Sequence, residues 1–182
     1  MSVITAISLA ACPKARAGIK TIWAANCAQV DTLTFNATRE ITAITMVVAT
    51  PANVFKRIDF EENTAFFNQA KVRNKSAVNV TQTISFVEPG LSNTVRNALE
   101  DLNGNCCLHI IVLDNSNNYH YAGISFDIES EEWSSDKMKT GEGSSNTNTD
   151  PTADQAEYIE TVVGNSIFYA PFWTLGEAGI PV

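Results

Sequence analysis

Between Cys106 and Leu113 the chain is apolar at both parities, His109 excepted, and this run constrains the fold more than any other. A strand with one wet face alternates, whereas a strand covered on both sides does not. The segment is therefore expected at the centre of a layered β fold. Asp114-Asn-Ser-Asn-Asn118 is turn-forming sequence, and Tyr119 to Phe126 reads as the returning arm of a long hairpin. Upstream, Val80, Ile84 and Phe86 alternate with Asn79, Thr81, Thr83 and Ser85 until Pro89-Gly90 ends the strand. Between these strands Ser92 is placed to cap a helix over about 92–103. Its Leu91, Val95, Ala98, Leu99 and Leu102 share one stripe, and Gly104 stands where a left-handed C-terminal residue is favoured.

The remaining segments add strands. Ile19 to Ala25 is predicted as a first strand anchored by Trp23, Asp31 to Asn36 as a second, and the Ile-, Thr- and Val-rich stretch from Thr38 to Thr50 as a third. Asn53 to Phe60 has no cleanly apolar face. In Lys71 to Lys75 three cations, Lys71, Arg73 and Lys75, alternate with Val72 and Asn74. Such a pattern guards an exposed sheet edge, or meets an acidic neighbour. Tyr158 to Val163 and Ser166 to Trp173 return the chain to the sheet. The sum is a single, mainly β domain, a β-sandwich or barrel with one flanking helix. An extended segment over 1–17 and a long acidic loop over about 130–151 complete it.

Charge is unevenly placed along the 182 residues. Of a formal net charge of -8, residues 127–160 hold ten acidic side chains against Lys137 and Lys139, and the rest of the chain carries ten of each sign. That distribution disfavours nucleic-acid binding through a broad basic surface. Leu9-Ala-Ala-Cys12 has the form that precedes a lipid-modified cysteine, but no Lys or Arg comes before it and the apolar run is short, so lipidation is not expected. No stretch reaches the ~20 apolar residues of a membrane helix, and no membrane association is expected.

Candidate chemistry is sparse. Cys12, Cys27, Cys106 and Cys107 lack metal-ligand spacing, and adjacent strand residues point to opposite faces, so Cys106 and Cys107 cannot easily pair. Reduced, buried thiols without a disulfide are expected, as in a protein made in the cytosol. Cys107 and His109 share a strand face, as a nucleophile and its base would, yet no orienting third group is apparent. A metal set of Cys106, His109 and His120 lacks a fourth ligand. His109 is instead expected to be a hydrogen-bonded core histidine, and the pairs Glu61-Glu62 and Glu131-Glu132 to be solvated at turns. No Gly-rich phosphate cradle is present. The chain is expected to be no enzyme and to need no cofactor.

Several segments together resemble the tail tube type of virion structural protein of tailed bacteriophages. They are Cys12-Pro13 with Gly18-Ile-Lys-Thr-Ile-Trp23, then Val30-Asp-Thr-Leu-Thr-Phe35, Ile41-Thr-Ala-Ile-Thr-Met46 and Asp59-Phe-Glu-Glu-Asn-Thr-Ala-Phe66. Val95-Arg-Asn-Ala-Leu-Glu-Asp-Leu102, leading into Cys106 and the Asn-rich hairpin, completes the set, which covers about residues 12–126. The resemblance implies a β-sandwich or barrel with a flanking helix, assembled as hexameric rings that stack through long loops. It implies partners that are further copies of the chain and other virion proteins, with DNA as non-specific cargo in the lumen. The Ser/Asn/Thr-rich segment before Pro151 and the aromatic run Ile167-Phe-Tyr-Ala-Pro-Phe-Trp173 depart from the pattern. They leave a tail terminator, connector or capsid decoration protein as alternatives within the virion. A monomeric β-sandwich binding module is the alternative outside it. The charge distribution marks a candidate subunit interface in which the acidic segment, with Glu131, Glu132, Asp136 and Asp150, meets a basic face. That face holds Lys71, Arg73 and Lys75, beside Phe66 and Phe67.

Overall fold

The computed structural model describes residues 18–47, 54–74, 77–89, 93–105, 107–126, 133–135, 138–141, 144–146, 157–166 and 169–182. In chain order the elements are β1 (Ile19–Asn26), a 3-10 turn at Cys27–Gln29, β2 (Val30–Phe35), β3 (Ile41–Met46), β4 (Lys56–Ile58), β5 (Phe66–Asn74) and β6 (Ala77–Pro89). Then come the helix α1 (Asn93–Asn103), β7 (Leu108–Asp114), β8 (Tyr119–Ala122) and β9 (Ile124–Phe126). The short strands β10 (Trp133–Ser135), β11 (Lys139–Thr140) and β12 (Ser144–Asn146) follow, and β13 (Glu157–Ser166) and β14 (Phe172–Trp173) end the series.

Two sheets account for the architecture, a sandwich-like arrangement with no closed barrel. A seven-stranded sheet runs β2-β3-β14-β8-β7-β1-β4, and a second runs β11-β13-β6-β5 with β12 also paired to β13. The run that opened the sequence reading lies at the heart of the first sheet. Leu108 to Val112 are buried without a break, because each parity of β7 enters a different core. Leu108, Ile110 and Val112 join Ile22 and Ala24 of β1 against Ile84, Phe86 and Val162 of the second sheet. Ile111 turns to the other side with Trp23, Tyr121, Ile41, Phe55, Trp173 and Ile180. This second core is closed by the curled β2–β3 wing and by the C-terminal segment, which is tied down where Phe55 N donates to Pro181 O at 2.7 Å.

The helix packs as the stripe predicts at Leu99, buried, and at Leu102, half-buried, while Ala98 is exposed. Ser92 and Leu91 lie outside the described residues. Gly104 is not left-handed. Its N–H continues the helical ladder to Glu100 O at 2.9 Å, and Asn105 does the terminating, its side chain donating to Asp101 O at 2.7 Å. The hairpin is shorter than its sequence implies. Gly123, at φ +99°, ends β8, and a Cβ there would stand 2.4 Å from Leu108 O, so only glycine lets the chain turn against β7. Beyond it β9 leaves the large sheet and pairs with β10.

Three further expectations need correction. Within Thr38 to Thr50 the described strand is Ile41–Met46, residues 48–50 lying outside the described residues. The segment predicted as a long loop over 130–151 contains, in its described parts, three short strands that pair with β9 and β13. The cysteines are not all reduced, because Cys27 and Cys107 form a disulfide with their Cα atoms 5.4 Å apart. The cause is register. Asn26 pairs with Leu108 in the β1–β7 ladder, so the next residues outward, 80 apart in sequence, are placed opposite each other. Cys27 N donates to Cys107 O at 3.1 Å across the same gap.

Candidate assembly surface

In β5 successive side chains point to opposite faces, which separates the two phenylalanines singled out in the sequence. Phe67 turns inward against the core, its ring edge-on to His120 at 5.6 Å, while Phe66 is half exposed on the outer face of the second sheet. Gln69, Lys71 and Arg73 follow Phe67 in parity. Gln69 Oε1 accepts from Ala170 N at 2.6 Å, and Lys71 Nζ lies 5.9 Å from the centre of the Tyr169 ring. Lys71 and Arg73 are exposed. Among the described residues β6 is the sole strand partner of β5, so one side of β5 is a free sheet edge, as the alternating cations predict. Lys75, Glu131, Glu132, Asp136 and Asp150 lie outside the described residues.

The outer face of this sheet is open in its described parts except at Ser85, which is buried. Register places Asn79, Thr81, Thr83 and Ser85 of β6 beside Thr161, Val163 and Asn165 of β13, all uncharged, with the exposed Lys139 of β11 opposite Val163 on the same face. Asn165 Oδ1 accepts from Thr81 Oγ1 at 3.0 Å and from Asn79 Nδ2 at 3.3 Å, so cross-strand bonds satisfy part of this face. Its inner face is the reverse, with Val80, Ile84 and Phe86 buried and Gln82 reaching Gly123 N at 3.4 Å.

Sequence reasoning missed the aromatic neighbours of the edge. Tyr169 and Phe172 are about half exposed, and Phe172 rests 5.0 Å from the His120 ring. The aromatic run after β13 was the available signal, but nothing in it showed that it crosses to β5. His120 also bonds Asp114 Oδ2 at 3.1 Å. Burial favours a neutral Asp114, but bonds from Asn118, His120 and Ser116 outweigh it and hold the carboxyl below its ordinary range. The same carboxylate organises the hairpin turn by accepting from Ser116 N and Asn118 N, each at 2.8 Å.

The residues weighed as chemistry are dispersed. Cys107 is bonded to Cys27 and offers no thiolate. His109 faces the second core, with Nε2 3.1 Å from Ser135 Oγ, whereas His120 faces the first sheet's other side. Burial lowers the His109 pKa to about 4, so it is neutral at pH 7. Its Nδ1 and the nearby Tyr121 hydroxyl have no hydrogen-bond partner among the described residues. No group of three His, Cys, Asp or Glu in the described residues could hold a metal ion. Glu61 and Glu62 sit at a turn, where Glu61 N donates to Val87 O at 2.8 Å. No described helix is long and apolar enough to cross a membrane.

No protein family, no curated protein and no solved structure matches this chain. The surface itself, an open and mainly uncharged sheet face bounded by an edge that is cationic, aromatic and unpaired among the described residues, carries the functional reading.

Proposed function

We propose that the chain is a non-enzymatic virion structural subunit of the tail tube type, which joins other copies of itself into stacked rings around a lumen. The observation that carries this reading is the second sheet, with β5 unpaired on one side and a hydroxyl- and amide-bearing face left open. A long free edge invites pairing with another chain, and closing sheets edge to edge around a ring removes such edges. A lining made chiefly of hydroxyls and amides, with Lys139 at its β11 margin, suits a passage for DNA, since it grips phosphates only weakly. The Cys27–Cys107 bond fits a particle that persists outside a reducing cytosol.

Edge joining in this proposal is guided by charge, with Lys71 and Arg73 meeting the acidic 127–160 segment of a neighbouring copy. Each exposed pair contributes only about 0.2–1 kcal/mol, so its role is to select register and partner. Sedimentation together with negative-stain imaging tests this. Rings or tubes are expected for the natural chain, and Lys71→Glu with Arg73→Glu should leave the protomer folded while raising the concentration needed to assemble. A single ~20 kDa species at every concentration would overturn the ring reading and favour a monomeric binding module.

A further inference from the structure

Glu160 is the one acidic residue among the described residues that is buried, at 7% exposure. Parity along β13 turns it inward with Val162, and register sets it opposite Phe86 of β6, with Glu88 two places further on the same inner face. The end of α1 lies over it, because Asn103, the last residue of the helix, donates a side-chain hydrogen bond to its carboxyl. A carboxylate here is disfavoured twice. It is withdrawn from water, and it stands at the negative end of the helix macrodipole. The bond from Asn103 favours the ionised form, but burial is the larger influence and pushes the carboxyl above its ordinary range.

The charged groups of the surrounding elements are otherwise engaged or directed. On α1, Arg96 Nε is 3.7 Å from Glu100 and Asp101 is exposed. Lys139 of β11 lies opposite Val163, hence on the outer face, and β12 is Ser144–Asn146, without charge. At the β4 edge of the large sheet Lys56, Arg57 and Asp59 line a cleft with Glu88, and Arg57 Nε bonds Asp59 at 3.2 Å. That cleft, of about 520 Å³, undercuts the flank of α1, where Arg96, Asn97 and Ala98 are exposed. The helix is otherwise seated by Leu99 and Leu102 on the core between the sheets and by the bond from Asn26 to Asn105 just beyond its end. An element held at so few points can open without the sheets unfolding.

We propose that Glu160 makes the seating of α1 respond to pH: as the neutral acid it accepts from Asn103 beneath the helix end, and on ionising it favours the opened helix, in which its carboxylate reaches water. The helix therefore tightens as pH falls toward the ordinary carboxyl value of 4.5 and loosens as pH rises through the raised range. The inference stands independently of ring assembly.

Amide hydrogen exchange of the full chain tests it, read at residues 97–103 of α1 and at Ile110 to Val112 of β7 between about pH 5 and pH 8, with the intrinsic rate at each pH divided out. The helix should exchange ahead of β7, and its protection should fall several-fold as pH rises. Glu160→Gln, which can still accept from Asn103, should hold the higher protection throughout and abolish the fall, whereas Glu88→Gln should keep it. Exchange of α1 in step with β7 would overturn the proposal, because the helix would not open on its own. Helix protection indifferent to pH, a fall that survives Glu160→Gln, or one that vanishes in Glu88→Gln would overturn it as well.

Discussion

The two sheets differ at their centres, where the middle strands of one are covered on both sides and those of the other on one side only. Along β7 every residue from Leu108 to Val112 is buried, because cores lie on both sides of the large sheet. Along β6 burial alternates in purpose, with Val80, Ile84 and Phe86 turned to the core and Asn79, Thr81 and Thr83 to the open face. The large sheet is thus a stability element, and the smaller one presents a surface. The difference teaches where change is tolerated, and it can be broken or sharpened by experiment.

The largest effect should come from the staple at the end of the large sheet. Replacing both Cys27 and Cys107 by Ser frees a loop spanning 80 residues and is expected to cost about 4 kcal/mol of unfolding free energy in a denaturant titration. Next in size, Ile110→Ala and Ile111→Ala should each cost about 3 kcal/mol although they face opposite ways. A loss confined to one of the two would show that one core is not closed.

Acid gives a comparable effect by a different route. Unfolded His109 takes up a proton below its ordinary pKa of 6.5, whereas folded His109 does so only near 4. Stability from this residue is therefore present above pH 6.5 and lost progressively down to pH 4, by about 3 kcal/mol in all. Glu88 and Glu160 act in the opposite sense. Burial raises their folded pKa values, so they gain protons before the unfolded chain does and the fold strengthens as pH falls through that range. Comparing the natural chain with His109→Gln, which can keep the bond to Ser135, isolates the histidine. The variant should lack the loss between pH 6.5 and 4. The smallest effect is expected on the open face, where Thr83→Ala should change stability by no more than about 0.5 kcal/mol. Its buried neighbour Ile84→Ala should cost several times that.

Much of this division was legible in the sequence, because periodicity reports how many faces of a strand are covered. The unbroken run around Ile110 and the alternation around Ile84 announced the two kinds of sheet, and Leu99 announced the seat of the helix. What periodicity cannot carry is which distant segments become neighbours. Cys27 and Cys107 looked unrelated until the β1–β7 register aligned them, and Tyr169 revealed nothing of its approach to β5. Gly104 suited a left-handed helix end, but Asn105 supplied a side-chain alternative that sequence spacing does not rank. Of the proposed interface, Lys71 and Arg73 lie on a strand that is, among the described residues, at the edge of its sheet, as their alternation implies.

The register that brings Cys27 beside Cys107 also fixes how the protein answers to tension. Drawn out by its two ends, the chain transmits force from β1 directly into the loop before β7 through the sulfur bridge, bypassing everything between. The 80-residue span stays closed, so the fully stretched molecule falls short of its sequence length by roughly 260–290 Å. β2 to β6 and the helix are thereby shielded from end-to-end load. A pulling measurement would find that missing length restored by a reducing agent.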